Sequence, residues 1–398
     1  MIRHLGLVLV LVLVLDHGAR AGGLAVGEQN AVSSATGGAG AARDGDPGAA
    51  WDDPAALADA GGVRVGLSLA LAHPSLQARA ADGSWSTDST GGWQTPPHLD
   101  LSYAQDRCAA GVAVGVPFGG GVTWPQMWPG APEAVATQLM DIRIAPFAGW
   151  SFGKLRVAAG FHVDSARLQI DRGLDFIDTQ GDVRMDMAAH GLGVDASAFW
   201  RARGDLGIGL VYRGRTRLAF SGPANFTAPD AFSEKTPDQQ ARTTMTMPDQ
   251  VVLGARWQRG ALALLGDVEY TRWSVNDKTI VTFADPQTPQ AIQDNGWHDT
   301  FTLRAGGEWQ LGRAIARAGA YYDPSPVPAD HLSPSAPDAT RLGATAGASW
   351  IFSAAWTADV FGEYMSLLRR ATTGMDTMPA SYGGSAVVLG AGVRWTPR

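Results

Sequence analysis

The side chains best suited to acid–base work at neutral pH are histidines. Beyond the first 21 residues they stand at 73, 98, 162, 190, 298 and 331, scattered along the chain. None lies in a neighbourhood with an evident serine nucleophile, and no spacing of His, Cys, Asp or Glu matches a metal site. No enzymatic activity, metal or cofactor is expected. Charges do share faces: Arg213, Arg215 and Arg217 on one predicted strand, Asp267 and Glu269 on another, and Arg304 with Glu308, Asp359 with Glu363, and Arg394 elsewhere. An interior salt-bridge network accounts for most of these, although an arginine can also grip a carboxylate bidentately. The remaining chemistry is non-covalent. Trp124, Met127 and Trp128 place large apolar groups in a predicted loop, where a wetted loop has no need of them.

The stretch that leads into that loop and includes it, 112–130, reads VAVGVPFGGGVTWPQMWPG. Val112, Val114, Val116 and Phe118 alternate as on a strand. Pro117, which cannot donate to a ladder, and then Gly119, Gly120 and Gly121 interrupt it. In a membrane barrel such an interruption leaves polar backbone groups that lipid cannot satisfy, so it predicts a deliberate gap in the wall at Pro117, Phe118, Gly119, Gly120 and Gly121. An apolar solute caught by Trp124, Met127 and Trp128 would leave sideways through that gap.

The elements that position these residues are β-strands. Period-two alternation begins at 63–71 and returns at 99–103, 140–150, 155–163, 192–200, 206–220, 251–257, 262–270, 301–309, 313–322, 342–352, 356–364 and 387–395. With the interrupted strand at 110–122 this makes about fourteen, an even number as bacterial barrels require. Connections alternate between short turns and long polar loops, the latter near 73–97, 124–138, 165–189, 221–245, 274–299, 323–340 and 366–385. Trp150, Trp200, Trp257, Trp309, Trp350, Trp356 and Trp395 fall near the short turns, as a membrane girdle would. The pattern predicts an all-β, transmembrane antiparallel β-barrel over residues 63–398.

The first 21 residues carry a basic residue, a Leu/Val run and Ala19-Arg20-Ala21, a secretory signal followed by a mature chain from Gly22. No run of roughly 18 apolar residues follows, so a membrane location requires a barrel. Residues 22–62 are rich in Gly, Ala and Asp and show no strand pattern. A short helix is predicted in 49–60, capped by Asp52 or Asp53 with Pro54 in its first turn. A net charge of −7 argues against a nucleic-acid partner. The single cysteine, Cys108, permits no intrachain disulfide.

The fragments LAVGEQNAVSSATGGAGAA, VPFGGGVTWPQMWPG, IRIAPFAGW, LVYRGRTRLAFSG, MPDQVVLGA, VEYTRWS and YYDPSPVPADHLSPSAPDATRLGATAG, in one order, resemble the FadL/TodX-type outer-membrane transport proteins. The resemblance implies a fourteen-stranded barrel in the outer membrane of a Gram-negative-type bacterium, with residues 22–62 as an N-terminal hatch and an inward kink of the third strand. It implies passive uptake of long-chain fatty acids or similar hydrophobic compounds by loop capture, hatch gating and lateral release. Aromatic-hydrocarbon uptake within the same family is the alternative cargo. Asp338 and Arg341 are similar to positions near the family's internal pocket, and Arg213 is a further lumenal candidate. Outer-membrane lipid, lipopolysaccharide and the barrel assembly machinery are the implied partners. Two departures stand out. The hatch reads Asp53-Pro54-Ala55 where Asn-Pro-Ala is usual, and the chain ends Trp395-Thr396-Pro397-Arg398 rather than on an aromatic residue. The contrasting reading, a general hydrophilic porin, needs neither a plug nor a broken strand.

Overall fold

The computed structural model describes residues 23–175, 180–229, 232, 236–375 and 378–397; the predicted signal at 1–21 and Arg398 lie outside them. Fourteen antiparallel strands close on themselves. We number them β1 (Gly62–Ala80), β2 (Pro97–Gln105), β3 (Cys108–Thr123), β4 (Ala136–Phe152), β5 (Leu155–Asp175) and β6 (Gln180–Arg203). β7 has two halves, Leu206–Arg213 and Thr216–Thr227, and so has β8, Gln239–Met247 and Gln250–Arg259. They are followed by β9 (Leu262–Thr271), β10 (Thr300–Leu311), β11 (Ala314–Asp323), β12 (Arg341–Ile351), β13 (Trp356–Ala371) and β14 (Ala380–Trp395). β14 pairs with β1 from Trp395 opposite Val65 to Ala380 opposite Ala80, which closes the cylinder. Closure matters because lipid offers no partner to a free edge.

Alternation within the strands sets the two faces. On β1, Leu67, Leu69 and Leu71 are about half exposed to the outside, while Ser68, Ala70 and Ala72 are buried inside. Exposed Trp150, Trp200, Trp309, Trp350 and Trp356 ring the end with the short turns. At the opposite end several segments anticipated as loops are strand instead: β5 and β6 stay paired from Leu155–Trp200 out to Asp175–Gln180. The barrel wall therefore stands well above the apolar belt.

Residues 23–61 lie within the cylinder and bond to strands all round it. Gly40 and Ala41 donate backbone N–H groups to Asp267 of β9, at 2.9 and 3.0 Å. Arg43 meets Glu308 of β10 at 2.5 Å, Asp46 meets Arg394 of β14 at 2.6 Å, and Asp44 and Asp59 share Arg156 of β5 at 2.6 and 2.7 Å. The interior charges read from the sequence thus hold this segment. The helix anticipated in 49–60 is split into a single turn, α2 (Ala49–Asp52), and a 3₁₀ turn, Pro54–Leu57, after Asp53; a further one-turn helix, α1 (Ala31–Ser34), precedes them. Pro54 lacks the N–H needed to continue α2, so Asp53 becomes a fresh cap, accepting from Ala55 N at 3.1 Å.

One predicted face is wrong. Arg213 points inward, but Arg215 and Arg217 are exposed on the outside. The ladder is interrupted between Arg213 and Thr216, and an odd step in a period-two strand sends every later side chain to the other face.

Candidate ligand-binding site

β3 starts as an ordinary wall strand. It pairs with β2 from Gln105–Cys108 to Leu99–Val114, and with β4 from Cys108–Trp150 to Gly115–Arg143. Then the two edges behave differently. Towards β4 the ladder resumes at Phe118–Asp141, after a bulge at Val116 and Pro117, and runs to Thr123–Ala136. Towards β2 it ends at Val114. The anticipated gap is therefore one-sided. Val116, Pro117, Phe118 and Gly119 are consecutively buried, so the alternation of an outer-wall strand is lost and the strand lies inside.

The edge turned away from β4 is taken up by the N-terminal segment. Val26 N donates to Pro117 O at 3.0 Å, and Gly119 N donates to Leu24 O at 2.8 Å. The Gln29 side chain donates to Val116 O at 2.7 Å and accepts from Val116 N at 3.3 Å. A window in the wall is thus framed by Val114 below and by the Thr90 N–Thr123 O bond above. Gly120 and Gly121 have φ of +116° and +154°. A Cβ on Gly121 would sit 2.0 Å from Thr137 O of β4, so no larger residue follows this path.

Behind the window is a cavity of about 160 Å³. Gly120, Gly121 and Val122 form one wall, Leu139, Leu168, Ile170, Met185 and Met245 another, and Trp297, Ile292 and Val327 a third. Asp338 and Leu24 also line it, and Arg172 is the only cation among the described residues that do so. Arg172 Nε donates to Glu133 O at 2.7 Å. Phe118, fully buried, stands next to this space with its ring 5.9 Å from that of Trp273 and in a cluster that includes Met185, Met187 and Met247.

The structure brings some predicted residues together and separates others. Asp338 lies at the cavity, where Oδ1 accepts from Gly23 N at 2.9 Å and the other oxygen accepts from Ser325. Arg341 and Arg213 line a second, polar space around the N-terminal segment, together with Pro117. Arg341 donates to Ala25 O and pairs with Asp323; Arg213 donates to Trp51 O at 2.9 Å. Trp124 and Trp128 are not spread over an open loop. They are buried, their rings 4.8 Å apart, and their indole N–H groups donate to Pro334 O and Ala134 O. A loop this apolar folds its rings inward because burial removes them from water. Only Met127 of the three faces out, at 90% exposure. The Trp124 cluster shares Val122, Val327 and Trp297 with the cavity wall. Arg172, Met185, Met245 and Trp297 were not singled out from the sequence, where 165–189 and 274–299 read as loops.

Asp53, Pro54 and Ala55 sit against β6 and β7, with Ala55 N donating to Ser197 Oγ at 3.0 Å. Burial pushes the Asp53 carboxyl up to about 7, against the Ser197 hydroxyl and the Ala55 amide, which favour the charged form. Its neighbour Asp52 is pushed up by burial to about 6, although Asn30 donates to it at 3.0 Å.

The family model described as outer membrane protein transport protein (OMPP1/FadL/TodX) matches residues 12–396. The chain belongs to this family. FadL/TodX members are outer-membrane transporters of hydrophobic compounds rather than enzymes, and the chain is an outer-membrane β-barrel of that kind. A long-chain fatty acid transport protein of Escherichia coli O6:H1 is 26% identical over 190 residues, which span 44% of this chain and 42% of that protein. A Pseudomonas aeruginosa FadL homologue shares the fold with a TM-score of 0.83 at 19% identity, over 94% of this chain and 99% of that one. The Pseudomonas putida toluene transporter TodX does so with a TM-score of 0.77 at 16% identity, over 93% and 98%.

Proposed function

We propose that the chain admits long-chain fatty acids, or apolar solutes of similar size, through the outer membrane by passive diffusion into the bilayer. Cargo is captured at the loop of Trp124, Met127 and Trp128, held in the cavity behind β3, and released sideways past Pro117–Gly121 when the hatch shifts. The observation that carries this reading is the continuity of the apolar cavity with Gly120 and Gly121 of the window. Each methylene moved from water to such a lining gains about 0.8 kcal/mol, so a long chain partitions into it without an energy source. Arg172 favours an acid over a hydrocarbon, because a guanidinium beside an apolar channel selects an anionic head. A toluene-like cargo, named for the TodX and related hydrocarbon-channel neighbours, is the second reading; Met185, Met245 and Trp297 suit a ring, since thioether sulfur packs well against aromatic edges. The hatch of residues 22–62 gates the route through the bonds of Leu24 and Val26 to β3.

Mass spectrometry of compounds that copurify in mild detergent, followed by uptake of the best candidate into vesicles, tests this. Fatty acid in the wild type, with about tenfold weaker uptake of the acid and unchanged uptake of toluene in Arg172→Gln, supports it; a charge-assisted contact of ~1.5 kcal/mol or more is at stake. Equal loss of both cargoes, or a steady large aqueous conductance, overturns it.

A further inference from the structure

The outer surface of β5–β8, just above the lipid-facing belt, carries a cluster of arginines. Arg167 of β5 stands opposite Ala188 of β6, Ala188 opposite Ser221 of β7, and Ser221 opposite Arg242 of β8. All four are exposed, so two arginines flank two small residues on one line across the wall, about 14 Å apart at three strand spacings. Towards the membrane, the same surface carries exposed His190 of β6 and Arg215 and Arg217 of β7. Directly below them the surface becomes apolar, with Phe161, Val163, Leu192, Val194 and Leu210 exposed. Tyr212 marks that boundary, its hydroxyl donating to Asp249 at 2.8 Å.

Among the described residues, Arg167, Arg215, Arg217 and Arg242 have no carboxylate within 4.0 Å. The acidic groups nearby are engaged or stand aside: Asp249 is held by Tyr212 and the Arg215 amide, and Asp171 faces Arg184 at 3.9 Å. Exposed Asp186, opposite Gln169, is the one that competes. The inside-out step at Arg213–Thr216 is what delivers Arg215 and Arg217 to this surface rather than to the lumen.

We propose that this shallow basin of small residues, rimmed by arginines, binds the phosphorylated sugar headgroup of an outer-leaflet glycolipid. The charge is complementary, arginine is suited to phosphate oxygens, and the basin continues directly into the apolar belt where the lipid's acyl chains lie. A free phosphate would gain only the first two of these and none of the acyl-chain contact. The site is separate from the cargo cavity and goes beyond the transport reading.

The test uses the full mature chain in mild detergent, with a phosphorylated glycolipid, its dephosphorylated form and inorganic phosphate as probes in native mass spectrometry. The phosphorylated form should be retained and the other two lost. A basic residue near an anionic surface is worth about fivefold in binding, so R167S/R215S/R217S/R242S should lose at least about a hundredfold. Arg242→Ser alone, read the same way, covers the case of a quadruple variant that fails to assemble. Equal retention of the dephosphorylated lipid, displacement by inorganic phosphate at similar concentration, or unchanged retention in the variants overturns the proposal. Uptake into vesicles lacking the glycolipid should be unaffected by the variants, which separates this outcome from any failure of the transport reading.

Discussion

At Asp53 a buried carboxyl makes the interior answer to pH. The folded carboxyl, at about 7, lies above the ~3.9 of an unfolded aspartate, so the protonated form is the one the buried site prefers. Its stabilising contribution is complete below the unfolded value and is lost as pH rises through about 7. The protection factors of the amides at 55–57, with the intrinsic pH dependence of exchange divided out, should therefore be higher at pH 5 than at pH 8. Asp53→Asn keeps a cap and removes the charge, leaving only the dependence of Asp52 near pH 6; an unchanged midpoint near 7 would assign the effect elsewhere. The loop of Trp124, Met127 and Trp128 divides in the same residue-by-residue way. Trp124 fills a buried cluster, so Trp124→Ala should cost about 3–5 kcal/mol in denaturant unfolding, whereas Met127→Ser should leave stability unchanged and weaken uptake only at low cargo concentration. Equal concentration dependence in Met127→Ser and wild type would remove the exposed methionine from capture. The sequence showed the apolarity of this loop but not its direction, because a tryptophan reads the same whether it covers a groove or plugs one.

At the scale of the element, β3 combines a retained ladder on one edge with a borrowed one on the other. Val116 and Pro117 make the bulge, and Gly120 and Gly121 supply backbone angles and a close approach to Thr137 that a side chain forbids. Replacing Pro117 with Thr and the three glycines with Val should drive the strand back towards the wall and abolish uptake, while heat-modifiable migration on gels shows that the barrel still assembles. Undiminished uptake would count against lateral exit. The interruption was legible because a proline and three consecutive glycines inside an alternating run are incompatible with an unbroken wall strand. Its partner was not, since Leu24 and Val26 belong to too short an apolar stretch to read as a strand. The turned face after Gly214 was equally hidden: alternation counted straight through Arg213, Arg215 and Arg217, and only the ladder shows the missed step.

Across the whole molecule, strand number, order and the sorting of turns were readable, because every wall strand must alternate between lipid and lumen. How far the wall extends was not, since polar strand above the membrane has the composition of a loop. The cavity was hidden for that reason too: Arg172 and Met185 sit in stretches without an apolar face to lipid. Ion pairs help to hold the interior segment, and one group serves three arginines, Glu308 with Arg43, Arg317 and Arg256 at 2.5, 2.7 and 3.3 Å. Glu308→Gln leaves buried cations uncompensated and should destabilise by about 3–5 kcal/mol, read as a lower temperature for loss of heat-modifiability. Conductance across a planar bilayer should rise in that variant if the segment is what closes the lumen; a wild-type trace would sink that assignment.

The two backbone bonds from Leu24 and Val26 to β3 have a mechanical corollary. Latch and doorpost are the same few atoms, so the plug cannot swing clear without exposing Pro117 O and Gly119 N at the rim of the opening. An apolar passenger cannot replace either bond. Separating the segment from β3 therefore leaves two backbone groups without partners, a cost that favours the paired arrangement.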